Sequence, residues 1–271
     1  MIMFNQIFST DSMKKYLNTM ITKAGTVLGA ALLLTVLISG PAKAQKAPPF
    51  SHSIMMDNQT YVYLIAERLE YTSVSGADPM AWDVQGYVGK DLNKFWFQTE
   101  GHALTSQTEG EMEFQGLYSR AISAYVDAQA GFRYSHMYSA NGYDSREFAV
   151  LGLQGLAPYF FEFESDLYVS TKGDISARVL GSYNLLFTQR LIGQPRFETN
   201  LAVQEVDKYG IGSGFNNIKI GFRLRYEIHR EFAPYIGISW DRKLGQTADF
   251  IQQEGGDAGT FGLVGGLRLW M

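Results

Sequence analysis

The sequence of 271 residues contains no cysteine, which excludes a disulfide scaffold and any metal site built on thiolates. Charged residues make up 18% of the chain, against roughly 25% in soluble domains. Hydrophobic residues, at 46%, are too many for a disordered chain, and the mean hydropathy of −0.11 is too low for a polytopic helical membrane protein. The formal net charge of −4 argues against a nucleic-acid binder. What the chain has instead is 14% aromatic residues and 28 glycines, which fits a surface that alternates between lipid and water.

Long hydrophobic runs are scarce as well, and the clearest one lies near the N-terminus at residues 24–38. Three lysines within residues 14–23 precede this run, and a small-x-small triplet follows it at 42–44. The run is short of the ~20 residues that a membrane-spanning helix needs, which favours a cleaved signal peptide over a membrane anchor. We therefore predict a signal peptide over residues 1–44.

The rest of the chain falls into short segments in which apolar and polar residues alternate, separated by clusters of Gly, Asp, Asn and Ser. The clearest segment is 215–229, where Ile218 and Phe222 lie on one face and Lys219 and Arg223 on the other. Similar segments lie at 59–71, 80–90, 93–102, 108–119, 122–135, 145–155, 157–170, 173–187, 189–203, 231–242 and 260–271. The pattern predicts about a dozen strands.

The predicted fold is all-β, a transmembrane antiparallel β-barrel of about twelve strands over residues 59–271. An even number of strands places both termini on one side, which we expect to be the periplasm. The polar faces carry arginine and glutamate in near balance, as a closed lumen requires, whereas a soluble β-sandwich, the alternative, tolerates lysine everywhere. We expect arginines to pair with glutamates across the lumen: Arg178, Arg196, Arg223 and Arg225 with Glu162, Glu164, Glu198 and Glu227.

Several longer motifs resemble the copper-resistance protein B family of Gram-negative outer membranes. They include Gly-Leu-Gln-Gly-Leu-Ala-Pro-Tyr at 152–159 and Gln-Pro-Arg-Phe-Glu-Thr-Asn at 194–200. Further matching stretches lie at 81–83, 89, 95–101, 185–192, 210–214, 224–228 and 230–237. The resemblance covers essentially the whole chain after the signal peptide.

The resemblance implies a monomeric barrel, surrounded by outer-membrane lipids, that acts with a periplasmic copper oxidase in copper resistance. Many family members carry a long N-terminal arm, rich in Met and His, that binds Cu(I). Here residues 45–58 form a short periplasmic lead, a remnant of such an arm, with only His52, Met55 and Met56. Thioether and imidazole ligands suit Cu(I), so these three residues are candidate copper ligands. An ordinary tail without metal is the alternative.

Other candidate copper ligands lie within the predicted barrel. His136 and Met137 combine two soft ligand types at an expected loop mouth. Met80 stands at an expected strand start, and His102 is in phase with Glu100 and therefore points into the lumen. A single histidine among lumen charges is more often a hydrogen-bonding partner than a metal ligand, and this reading stays open for His102.

No catalytic motif is present: the sequence has neither G-x-S-x-G nor H-E-x-x-H, and no phosphate-binding loop. We expect a protein that is not an enzyme, with a barrel hydrolase as the enzyme-class alternative. The expected function is that of an outer-membrane copper resistance protein, which binds copper and handles it at or across that membrane. The rival expectation is a passive or structural small-solute barrel without copper binding.

Overall fold

The computed structural model describes residues 59–73, 79–104, 109–139, 142–253 and 255–271. The predicted signal peptide and lead lie outside the described residues. The strands are β1 (Tyr61–Ser73), β2 (Pro79–Gly89), β3 (Asn93–Leu104), β4 (Gly110–Ala121), β5 (Val126–Ser139), β6 (Gly142–Ala157), β7 (Phe161–Ser170), β8 (Ile175–Ser182), β9 (Leu185–Leu186), β10 (Leu191–Ala202), β11 (Gly214–Tyr226), β12 (Phe232–Lys243) and β13 (Gly259–Trp270). Helix α1 (Gly245–Gln253) and 3-10 turns at Pro158–Phe160 and Asp207–Tyr209 lie in the connections.

The strands form one closed antiparallel barrel. Apart from β8 and β9, which do not pair with each other, each strand pairs with its neighbours in sequence, and β13 returns to pair with β1, from Ile65 opposite Trp270 to Ser73 opposite Leu263. Strands β8 and β9 both pair with β10 and occupy one position, so the barrel has twelve positions and the predicted fold is confirmed. Closure pairs both sides of every barrel position along the described strands, which removes the open edges that a flat sheet of this size would expose.

A proline explains the interruption between β8 and β9. Pro195 lies in β10 opposite the gap and has no backbone N–H to donate to the ladder. The N–H of Tyr183 still donates to the carbonyl of Pro195 at 3.2 Å. The predicted strand 173–187 is therefore one barrel position built from two pieces.

The two faces of the barrel have opposite chemistry. Leu151, Ile236 and Leu263 are 59%, 69% and 64% exposed on the outer face. On the inner face Glu70 and Asp83 are only 4% and 2% exposed, although both carry charge. A soluble β-sandwich would bury the apolar face and expose the charged one, so this distribution excludes that alternative.

The two ends of the barrel differ in their connections. The terminal end carries Tyr61 and Met271, and the loop end carries the connections 171–174, 203–213 and 244–258. Two of these connections are joined, because Gly212 donates its N–H to the Thr247 hydroxyl at 2.9 Å. No helix among the described residues has the length and apolar content needed to cross a bilayer.

Barrel closure can be tested with an engineered disulfide, because the natural chain has no cysteine. Thr72 and Val264 are direct partners between β1 and β13. Directly opposed Cβ atoms lie about 4.5–5.5 Å apart, near the range that a disulfide bridges. We expect Thr72→Cys with Val264→Cys to cross-link on oxidation, which is read as faster mobility of the denatured, non-reduced chain.

The matched control for this disulfide pairs Thr72→Cys with Leu263→Cys. Leu263 is next to Val264 in β13 but lies on the other face of the sheet, since it is 64% exposed while Val264 is 4% exposed. We expect no cross-link in the control. Equal cross-linking of both pairs, or of neither, would contradict this register.

Candidate functional site

A β-bulge in β1 changes which of its side chains face the lumen. Ala66 pairs with Val84 and Arg68 pairs with Asp83, so Glu67 is an extra residue in this strand. The Glu67 carboxylate accepts hydrogen bonds from inside the lumen, including one from Arg268 Nε at 3.0 Å. Two successive charged side chains, Glu67 and Arg68, therefore point inward, which simple alternation does not permit.

Charged side chains cross the middle of the lumen and touch one another. Glu100, on β3, accepts a hydrogen bond at Oε2 from Arg178 Nη1 on β8 at 2.8 Å, and its Oε1 accepts one from Arg68. A second crossing joins Asp83 on β2 to Arg196 on β10, with 3.6 Å between Oδ2 and Nη2. We name the whole set the lumen brace: Arg68, Glu70, Asp83, Glu100, Glu164, Asp166, Arg178, Arg196, Glu198 and Arg223.

Some predicted lumen residues meet one another in this arrangement. Arg178 Nη2 lies 3.3 Å from Glu164 Oε1, and Arg196 Nη2 lies 3.7 Å from Glu198 Oε2. Both pairs lie within the brace. The structure thus brings these four predicted residues together, each arginine with a carboxylate.

Of the other four predicted lumen residues, Arg225 and Glu227 also pair with each other, whereas Arg223 and Glu162 have other partners. Arg223 pairs with Glu70, at 2.6 Å and 3.0 Å, rather than with any of the expected glutamates. Arg225 Nε lies 3.6 Å from Glu227 Oε1, toward the terminal end. Glu162 accepts hydrogen bonds from the hydroxyl of Ser182 and from a side-chain amide instead of an arginine.

The arginine and glutamate pairs predicted from the sequence leave out four central members of the brace. Asp83 and Glu100 lie in segments of weaker alternation, although Glu100 was placed in phase with His102 and therefore inward. Both would be found by listing every acidic residue at the inward-facing positions of these two segments. Arg68 and Glu70 follow the bulge and are out of phase with the start of β1, so alternation gives no signal for them.

An open recess lies on the loop side of the brace. A cavity of about 350 Å³ is lined by Glu100, Arg178 and His102, and a cavity of about 990 Å³ continues it toward the loop end. Glu111 and Glu113 line both. We refer to the two together as the recess, which extends among the described residues from the loop end as far as the brace.

Stacked cations and aromatic rings stiffen one wall of the recess. The Arg133 guanidinium lies 4.5 Å from the ring centre of Tyr168 and 5.2 Å from that of Phe148. Arg146 continues the column, 4.8 Å from Phe148 and 4.2 Å from Tyr209 in the 203–213 connection. Each such contact contributes about 0.5–2 kcal/mol, depending on its exposure.

An inward apolar cluster stands behind this column. Leu117, Phe148, Val150 and Tyr168 are buried together, and Trp96 packs against them. Small barrels fill their interiors with side chains, and here one wall does so with apolar ones. The cluster lies on the face where the sequence predicts polar residues.

The mouth of the recess carries an ion pair. Lys208, in the turn Asp207–Tyr209, donates a hydrogen bond to Asp144. This hydrogen bond is the main reason that the pKa of Lys208 is raised above its ordinary value. The 203–213 connection is thereby tied to β6.

Of the predicted copper ligands, His102 has the position that the sequence suggests. It lines the recess and is the direct cross-strand partner of Glu111 on β4. His52, Met55 and Met56 lie outside the described residues. In the described part of the chain, no group of three or more His, Asp or Glu side chains is arranged to hold a metal ion.

Two of the other expectations about copper ligands are wrong in their geometry. His136 and Met137 are neighbours in β5 and so point to opposite faces: Met137 lines the recess, whereas His136 lies beside the exposed Tyr143 ring at 5.9 Å. Met80 is 49% exposed and out of phase with the inward Asp83, so it lies on the outer face. Neither arrangement can join soft ligands around one ion in the lumen.

Comparisons with known proteins bear on this site. The family model described as copper resistance protein B precursor matches residues 60–271. A "Copper resistance protein B homolog" of Pseudomonas syringae pv. tomato is 36% identical over 214 residues, covering 79% of this chain and 71% of that protein. "Copper resistance protein B" of Escherichia coli is 36% identical over 219 residues, covering 81% and 72%.

Solved structures give more distant likenesses. The KdgM porin is 9% identical, with a TM-score of 0.48, over 76% of this chain and 98% of that one. The NanC porin is 15% identical, with a TM-score of 0.49, over 77% and 99%.

Proposed function

This chain belongs to the copper resistance protein B family, and from that premise we propose that it binds copper in the recess and handles it at or across the outer membrane. Family membership supports a role in copper resistance. The observation that carries the proposal is a recess that reaches the middle of the barrel and presents His102 beside Glu111. Copper is here the cargo of the barrel rather than a resident cofactor.

The donor atoms at His102 and Glu111 suit oxidised copper. Directly opposed residues in an antiparallel pair have Cβ atoms about 4.5–5.5 Å apart, close enough for an imidazole nitrogen and a carboxylate oxygen to share one ion. Imidazole and carboxylate ligands suit Cu(II), whereas thioethers suit Cu(I). We assign Cu(I) to the lead, where His52, Met55 and Met56 would bind it. Met137 is a separate thioether in the recess.

The proposed orientation places the terminal end in the periplasm and the loop end outside the cell. Outer-membrane barrels have short periplasmic turns and longer external loops, and the connections 203–213 and 244–258 are the long ones here. The recess then opens to the exterior, and the lead lies on the side of a periplasmic copper oxidase. We propose a monomer without enzyme activity.

Copper titration of the full-length protein tests this function. We expect Cu(I) binding to fall when residues 45–58 are deleted, and Cu(II) binding to weaken roughly tenfold or more in His102→Ala, a loss of about 1.4 kcal/mol. The matched control is His136→Ala, because His136 lies outside the lumen. Isothermal titration under reducing and oxidising conditions gives both constants.

Two results would count against this assignment. Equal loss of Cu(II) affinity in His102→Ala and His136→Ala would show that the site is not in the recess. No copper binding in either redox state would favour the passive or structural small-solute barrel.

A further inference from the structure

We propose that the lumen brace is a cation gate: two crossing ion pairs close the lumen at rest, and their separation opens a water path from the recess to the terminal end. This inference goes beyond the proposed function. It rests on that function in one respect only, namely that the cation passing through the gate is copper.

Eight of the ten brace residues form two walls that each contain their own ion pairs, and Glu70 with Arg223 forms a separate pair between β1 and β11. The first wall is on β1, β2 and β3, where Arg68 Nη2 lies 3.3 Å from Asp83 and also contacts Glu100. The second wall is on β7, β8 and β10. It holds Arg178 with Glu164 and Asp166, at 3.3 Å and 3.8 Å, and Arg196 with Glu198 at 3.7 Å.

Within the brace, the two walls meet through the two crossing contacts. These are Glu100 with Arg178 at 2.8 Å and Asp83 with Arg196 at 3.6 Å. If both contacts separate, each of these four side chains still has a partner within its own wall. Breaking a buried ion pair is costly chiefly when a charge is left without a partner, and this division avoids that cost.

Unused hydrogen-bonding atoms give the arginines alternative partners. Among the described residues, Asp83 Oδ1 and Asp166 Oδ1 are buried without a hydrogen-bond partner, as are Arg178 Nε and Arg196 Nε. These atoms can form new hydrogen bonds when the crossings separate, which offsets the loss of the old ones. Glu70 and Arg223 differ, because two short hydrogen bonds fix that pair.

The resting brace leaves little free space. Asp83 and Arg178 are 2% and 5% exposed. A cavity between Arg68, Arg196 and Glu198 has a volume of only about 10 Å³, at the lower limit of the ~10–15 Å³ that one water needs. The path from the recess is therefore closed here by side chains, which can move without unfolding a strand.

The charge of the walls selects for cations. Carboxylates outnumber guanidiniums in both walls, two to one in the first and three to two in the second, so acidic side chains from both sides line the path when the crossings separate. Lys219 on β11 faces the lumen at the same depth as the walls. Its positive charge lies opposite two carboxylates, because its cross-strand partners are Glu198 and Asp241. Rings of acidic side chains favour cations in channels.

Planar-bilayer recordings of the full-length protein in potassium chloride, without copper, test the gate. The double variant Glu100→Gln, Arg196→Gln removes one charge from each wall and both crossings, while it conserves the net charge of the lumen. We expect a sustained conductance that the wild type lacks, with a reversal potential in a salt gradient that indicates cation selectivity.

The matched control is Arg225→Gln with Glu227→Gln, which also removes one charge of each sign from the lumen but no crossing. We expect it to stay closed like the wild type. The double variant Glu100→Asp, Arg196→Lys, which shortens both crossings and keeps both charges, gives a milder test if the first double variant folds poorly. Heat-modifiable gel mobility shows which variants fold.

Three outcomes would overturn the gate. The first is a folded Glu100→Gln, Arg196→Gln variant that stays closed or, if that variant does not fold, a folded Glu100→Asp, Arg196→Lys variant that stays closed. The others are a control that opens as widely as the double variant and an open state that prefers chloride. The result of the copper titration does not depend on whether the gate exists. A working gate in a protein that binds no copper would refute the proposed function and leave the gate standing.

Discussion

Replacing Arg223 by leucine should lower the free energy of unfolding of the barrel by about 3–5 kcal/mol. Arg223 and Glu70 are each 4% exposed, and two hydrogen bonds of 2.6 Å and 3.0 Å join them. The Tyr235 hydroxyl donates a third hydrogen bond to Glu70 at 3.2 Å. Without Arg223, the Glu70 carboxylate stays buried with its charge unpaired, which is the source of the loss.

A double-mutant cycle separates the ion pair from simple loss of packing. Glu70→Leu with Arg223→Leu removes both charges, and we expect it to recover most of the stability that Arg223→Leu loses. Lys208→Ala, which breaks the exposed pair with Asp144, should unfold like the wild type. Urea unfolding from lipid vesicles, followed by tryptophan fluorescence, gives the free energies of the wild type, Glu70→Leu, Arg223→Leu and the double variant that the cycle needs, and that of Lys208→Ala. A double variant as unstable as Arg223→Leu would show that the charge is not the cause.

Tyr168→Ala should also destabilise the barrel by about 3–5 kcal/mol, the range for truncation of a buried aromatic side chain. The Tyr168 ring, 2% exposed, packs edge-on against Phe148, with 6.2 Å between ring centres. Arg133 and Arg178 lie over it at 4.5 Å and 5.9 Å. Loss of the ring removes this packing and leaves both guanidiniums beside a void.

Tyr168→Phe separates the hydroxyl from the ring. The hydroxyl donates to Asp166 Oδ2 at 2.9 Å, and leaving that acceptor unpaired should cost about 1–3 kcal/mol. Tyr143→Ala is the control, because Tyr143 is 82% exposed, and it should unfold like the wild type. If Tyr168→Ala and Tyr143→Ala had equal midpoints, the column of rings and cations would not stabilise the wall.

The length of the alternating segments decided how well the strands could be predicted. The segments 215–229 and 260–271 became β11 (Gly214–Tyr226) and β13 (Gly259–Trp270), because six or more alternations fix both the type and the phase of a strand. Helix α1 (Gly245–Gln253) was missed, since it lies in a connection between strands. Alternation predicts a strand from residue 157, but the 3-10 turn at Pro158–Phe160 delays the start of β7 to Phe161.

The candidate site was less predictable than the fold. Alternation places a side chain on a face, and that was enough to place His102 in the lumen. It failed for His136 with Met137, where adjacency in sequence suggested a shared site although adjacent strand residues point apart. Two ligands on one strand share a face only when they are two residues apart, whereas His136 and Met137 are adjacent.

By itself the sequence determined the fold class, the two faces of most strands and the arginine and carboxylate content of the lumen, because each follows from local alternation. Only the tertiary structure decided which charges meet. Glu100 and Arg178 are separated by 78 positions, and their contact depends on barrel closure and strand register. The bulge at Glu67 then turned Arg68 inward, against the phase of its own strand. Pairing across a lumen is a property of closed geometry, which no local pattern encodes.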